Sequence, residues 1–127
     1  MLQAVTELTY TILLVDDLET MKAFYRELFP FEVRGEGDTG LSFNPANDTL
    51  FSLRLRTRDY DGKGSRLEAP GVQLAFRVEP HQVDECYQVL LDRGVEIAEP
   101  PTDQPRRHRT LYFYDPEHNL LEIYAEI

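Results

Sequence analysis

Glu122 is the residue whose setting most needs a chemical reason. It lies in an alternating run in which Leu121, Ile123 and Ala125 share one face and Leu120, Glu122, Tyr124 and Glu126 share the other. An unpaired carboxylate in such a strand is costly to bury. Three things would satisfy it: a metal ion, an arginine partner such as Arg54 or Arg77, or water. As a base it would also serve proton abstraction without a metal, given a nearby substrate and partial desolvation. The other chemistry-bearing residues are scattered. His81 starts a helical stretch, His118 sits in a turn, and His108 falls in the basic run Arg106, Arg107, His108, Arg109. That run is expected to be a solvated hairpin, with the rim of a pocket for an anionic substrate as the rarer alternative. Cys86 is the lone cysteine, so no internal disulfide forms, and its place on an apolar helix face suits a small hydrophobe.

The elements that must position these residues repeat along the chain. Residues 8–15 read as a buried strand, and Asp16 and Asp17 offer an N-cap. Met21, Phe24, Tyr25, Leu28 and Phe29 form a helical apolar stripe that Pro30 stops. Residues 31–35 and 40–43 read as short strands, 44–48 as a turn, and 50–57 as a strand. In that last strand Phe51, Leu53 and Leu55 oppose Ser52, Arg54 and Arg56. Residues 58–71 are polar and glycine-bearing, and read as a linker. The order then returns. Residues 72–78 form a strand, and Pro80 opens a helix with the stripe Val83, Cys86, Tyr87, Leu90 and Leu91, closed at Gly94. Residues 95–98 form a strand before a bend at Pro100 and Pro101, and 109–114 and 120–126 are strands about the turn at Asp115 and Pro116.

The predicted fold class is α+β: two βαβββ modules, about 8–57 and 72–126, within a single domain over 1–127. Each module alone exposes one sheet face, and two together enclose a cavity. A formal net charge of −10, from 23 acidic and 13 basic residues, argues against nucleic acid and anionic membranes and leaves room for a cationic ligand. No apolar run approaches a membrane span and no signal-peptide pattern is present, so the cytoplasm is the expected compartment.

Tyr114, Asp115, Pro116, Glu117, His118, Asn119 and the strand to Ile123 resemble the closing segment of the glyoxalase/bleomycin-resistance/dioxygenase superfamily, the vicinal oxygen chelate proteins. His118 stands where that family usually has glycine, which makes a left-handed turn residue less comfortable. Asp17, Leu18, Phe24 and Tyr25 resemble the family's first helix, and the stretches 71–78 and 93–96 resemble the opening of its second module. The resemblance implies a glyoxalase-like fold with a curved mixed sheet around a cup-shaped cavity. It also implies four metal-ligand positions, one on the first and one on the last strand of each module. These map to Tyr10, Gln73 and Glu122, with Ser52 chosen over Phe51 by face parity.

Only Glu122 is a strong hard-metal ligand there, and Gln73 is an occasional one. No metal or other cofactor is therefore expected; one divalent ion, held by Gln73 and Glu122, is the alternative. The ligand-binding cavity is expected to draw on Tyr10, Ile12, Ser52, Arg54, Gln73, Arg77, Tyr112, Glu122 and Tyr124, with Glu122 the candidate catalytic group. The resemblance implies a small-molecule binder and a homodimer. A metal-dependent lyase, isomerase or dioxygenase is the alternative function, so enzymatic activity is left open.

Overall fold

The computed structural model describes residues 1–46, 49–64 and 69–127. The chain divides into two compact units, Met1–Ser65 and Arg66–Ile127. In the first, strand β1 (Tyr10–Val15) leads to helix α1 (Leu18–Leu28), then strands β2 (Glu32–Gly37), β3 (Gly40–Ala46) and β4 (Thr49–Leu55). The sheet order is β1-β4-β3-β2, with β1 parallel to β4 and the other pairs antiparallel. A 3-10 turn at Asp59–Asp61 lies inside the stretch expected to be linker. The second unit repeats the plan: β5 (Gln73–Arg77), α2 (Pro80–Asp92), β6 (Ile97–Asp103), β7 (His108–Tyr114) and β8 (Leu120–Glu126), in the order β5-β8-β7-β6. The two βαβββ modules read from the sequence are thus present. No helix among the described residues is long and apolar enough to cross a membrane.

The helices form where caps and stripes dictate. Asp17 accepts hydrogen bonds from the Thr20 amide at 3.2 Å and hydroxyl at 2.7 Å, fixing the start of α1. The Gln82 side chain accepts the Glu79 amide at 2.9 Å, and Pro80 takes the first turn of α2, where a missing N–H costs nothing. Met21 and Tyr25 are buried against the first sheet, and the Tyr25 ring meets Phe51 edge-on at 5.2 Å. That contact puts Phe51 on the helix-covered face and Ser52 on the other, as alternation requires. Phe43 stacks on Phe51 at 6.0 Å in the same layer. Lys22 is buried too, its Nζ satisfied by the Gly37 carbonyl at 3.1 Å and Glu36 at 3.2 Å, which ties α1 to the β2–β3 hairpin. In the second unit Val83 and Leu90 of α2 are buried, as are Leu121, Ile123 and Ala125 of β8.

Several boundaries differ from the sequence reading. β6 runs through Pro100 and Pro101, where a bend was expected. It is an edge strand, and its register shifts between Ile97 and Glu99 and again between Glu99 and Thr102, so the prolines sit where the ladder skips a donor. β3 likewise passes Pro45 across a register shift, and part of the expected turn at 44–48 lies outside the described residues. Leu91, placed in the α2 stripe, is exposed because it falls at the margin of the face centred on Val83 and Leu90. His118 does adopt a left-handed φ of 66°. Its strain is offset by the Asp115 carboxylate, which accepts the Glu117 and Asn119 amides at 3.0 and 2.9 Å, and by its ring packing on Tyr114 at 3.9 Å.

Candidate functional site

In the second unit, the face of the sheet opposite α2 gathers the polar residues. The pairing of β8 with β5 and β7 sets Ala75 and Tyr112 beside Glu122, and Gln73 one pleat away, opposite Leu120. Gln73 Nε2 donates to Glu122 Oε1 at 3.0 Å. Arg106 Nη2 donates to the Tyr112 hydroxyl at 2.9 Å and stands 4.0 Å from Glu122 Oε2. Burial, then the charge of the Glu122 carboxylate, push the Tyr112 phenol above its usual range. His108 stacks on Tyr124 with ring centres 5.0 Å apart. Together these side chains line an open pocket of about 490 Å³, with Glu122 only 7% exposed.

The first unit carries the matching positions with different chemistry. In the register of its strands Ser42 and Ser52 face each other, as Tyr112 and Glu122 do in the second unit. Tyr10 opens β1 as Gln73 opens β5. The Tyr10 hydroxyl lies 2.6 Å from the Ser52 hydroxyl and 3.2 Å from that of Ser42, and the two serines are 2.6 Å apart. Hydrogen bonds from Ser42 first, then Ser52, lower the Tyr10 ionisation below its ordinary value. Ile12, 46% exposed, pairs in register with Ser52. This face therefore offers a hydroxyl triad beside an exposed apolar side chain.

Two expected arginines are elsewhere. Arg54 forms a two-bond fork to Asp61, at 2.7 and 2.9 Å, because the 3-10 turn brings that carboxylate back onto β4. Arg77 ends β5 beside Glu126 at 3.6 Å and, with Glu79 and Gln82, lines a different polar hollow at the start of α2. The arginine near Glu122 is instead Arg106. The basic run is thus not simply a solvated hairpin: Arg106 and His108 line the pocket, whereas Arg109 bonds Asp84 and Asp103. His108 shares its strand face with Thr110 and Tyr112, a parity visible in the sequence. Arg106 follows only from the turn, where Arg107 takes a φ of 64°.

Metal ligation finds little here. Among the described residues no group of three His, Cys, Asp or Glu side chains converges. The second-unit pocket has one carboxylate, one amide and one imidazole: the amide already donates to the carboxylate, the His108 ring stacks on Tyr124, and a guanidinium stands nearby. In the first unit the donors are neutral hydroxyls. A divalent ion wants several anionic or imidazole donors, so this donor set does not fit one.

Repeated βαβββ units with this arrangement of strands define a class, and the chain belongs to the Glyoxalase/Bleomycin resistance protein/Dioxygenase superfamily, whose family model matches residues 7–123. It is 30% identical over 126 residues to the fosfomycin resistance protein FosX of Listeria monocytogenes, across 95% of this chain and 90% of that one. It is 26% identical over 126 residues to the metallothiol transferase FosB of Staphylococcus saprophyticus, across 98% and 78%. Among solved structures, a glyoxalase/bleomycin resistance protein/dioxygenase from Nocardioides gives a TM-score of 0.82 at 22% identity, covering 97% of this chain and 85% of that one. FosX from Listeria monocytogenes gives 0.75 at 24%, covering 97% and 95%. These structural likenesses show the glyoxalase-like fold.

Proposed function

We propose that this protein binds a small molecule in the pocket of its second unit, with Glu122 as the anchoring acceptor and no chemistry at a divalent ion. The observation that supports this most is the setting of Glu122: a buried carboxylate facing a concave site, whose neighbours are an amide, a phenol and an arginine. Binding sites need shape, aromatic walls and a few placed polar groups, and Tyr112, Tyr124 and His108 supply the walls. Tyr10, Ile12 and Ser52 of the first unit are further candidate contacts. We place the protein in the cytoplasm as a homodimer, since an exposed edge strand such as β2 gains from cover. Light scattering should then return twice the chain mass; a monomer mass across a wide concentration range would remove the dimer.

The second reading is a metal-dependent lyase, isomerase or dioxygenase, with Gln73 and Glu122 among the ligands. It is favoured by the full-length similarity to FosX and to a relative named a metallothiol transferase. Elemental analysis separates the two. Protein from cells supplied with manganese, iron, nickel and zinc is expected to carry no stoichiometric metal. Near one equivalent per chain, lost on Glu122→Ala, overturns the first reading and supports the enzyme. Expression in a fosfomycin-sensitive bacterium is likewise expected to leave its susceptibility unchanged; resistance that Glu122→Ala abolishes favours the second reading.

A further inference from the structure

The pocket of the second unit brings a carboxylate and a guanidinium together without joining them. Elsewhere in the chain two such pairs close as two-bond forks. Arg54 meets Asp61 at 2.7 and 2.9 Å, and Arg109 meets Asp84 at 2.8 and 2.9 Å. Arg106 does neither: its Nη2 stands 4.0 Å from Glu122 Oε2 and spends its hydrogen bond on Tyr112. An ionised carboxylate accepts about four hydrogen bonds. Gln73 supplies one donor to Glu122, which lines the pocket with acceptor capacity left over. The Arg106 side chain is 52% exposed and rises from the turn between β6 and β7, so it can rotate away without breaking a strand pair.

We propose that Arg106 is a displaceable internal cation that screens Glu122 and yields to a ligand bearing a flat nitrogenous cation, such as an amidinium or a protonated amino-aromatic group. This rests on the reading of the pocket as a binding site. The ligand's N–H groups take the open acceptor sites of Glu122, and its ring lies against Tyr124 and His108. The exchange is favourable because a cation in direct contact offsets more of the cost of the buried carboxylate than one at 4.0 Å. Removing the half-exposed Arg106 from its place sacrifices little. The net charge of −10 also draws cations to the protein.

Benzamidine and benzoate have one shape and opposite charge, and calorimetric titration of the full chain with each tests the proposal. Benzamidine is expected to bind the unaltered protein, to bind Arg106→Ala and Arg106→Gln more tightly by about tenfold, and to lose binding to Glu122→Gln. Benzoate is expected to bind none of them. Thermal midpoints of the three variants confirm that each is folded, and the two arginine variants check one another. Unchanged or weaker benzamidine binding in both arginine variants refutes the displacement while leaving the binding site in place. Benzoate binding that the arginine variants lose makes Arg106 an anion anchor and overturns the proposal, again with the binding reading intact. Silence from every protein toward both probes overturns it too, and the metal analysis then decides the broader reading.

Discussion

Phe43→Ala is expected to cost the folded state about 3–5 kcal/mol, the range for deleting a fully buried aromatic ring. Phe43 is buried completely, stacked on Phe51 at 6.0 Å and edge-on to Phe31 at 6.1 Å. Its ring neighbours are anchored separately, Phe51 on β4 and Phe31 in the loop before β2, so they cannot both close on the space left behind. That loss is a large part of the roughly 5–15 kcal/mol that holds an ordinary domain together. Phe43→Leu, which keeps most of the volume, is expected to lose no more than about 1.5 kcal/mol. Urea unfolding followed by circular dichroism measures both. An alanine variant within 1 kcal/mol of the parent, on the order of a surface substitution, would show that this ring is not at the centre of the first core. The loss also reaches the candidate site, since Ser42 of the hydroxyl triad precedes Phe43 on β3.

Asp61→Asn is the second large effect, and its dependence on pH is the telling part. Asp61 accepts the Arg54 fork and the Thr57 and Arg58 amides, each at 2.9 Å, while its own carbonyl accepts from Arg56. The Arg54 guanidinium above all, then the Arg58 amide, hold its carboxyl well below the ordinary 3.8. A carboxylate whose folded pKa is depressed stabilises the fold fully above its unfolded value. That stabilisation is lost as the pH falls through the acid range toward the folded value. Asparagine cannot supply the same four acceptor contacts and turns an N–H₂ toward donors. The variant should melt lower at neutral pH by on the order of 5–10 °C, and the gap should narrow steadily below about pH 4. Glu36 and Asp84 are also depressed by their cationic partners, so both proteins weaken in acid, and only the difference between them reports Asp61. Parallel melting curves from pH 7 to pH 2 would falsify this account of the clasp.

Much of the fold was legible because it rests on short-range patterns. Asp17 before an apolar stripe, Pro80 before another, and strict alternation at Phe51, Ser52 and Leu53 each fix an element or a face from a few residues. The prolines of β6 misled because a proline's meaning depends on whether its strand is at an edge, which local sequence does not state. The site was legible in part for the same reason. Parity placed Ser52 opposite the helix, and the resemblance pointed to Tyr10, Gln73 and Glu122. The partners of charged side chains were not legible. Which arginine approaches Glu122, and which carboxylate takes Arg54, depend on turns at 104–107 and 59–61 whose course is set by left-handed or tightly hydrogen-bonded residues. Face parity assigned Arg54 and Arg77 to the open side but not their partners, and long side chains reach whatever the next loop offers.

The parallel pairing of β1 with β4 and of β5 with β8 has a consequence for how this chain reaches its native state. Within each unit the last three strands form an antiparallel meander that can assemble from neighbouring residues in microseconds, one hairpin at a time. The first strand joins only after the helix behind it has crossed the sheet, and it pairs Tyr10 with Leu50 or Gln73 with Leu120. Closing so long a loop is slow, because its entropy is spent before any ladder bond forms. Until then β4 and β8 each present an unpaired border of amide and carbonyl groups, which invites pairing with another chain. Docking of the opening strand is accordingly expected to be the slow step, and the interval in which aggregation competes with folding.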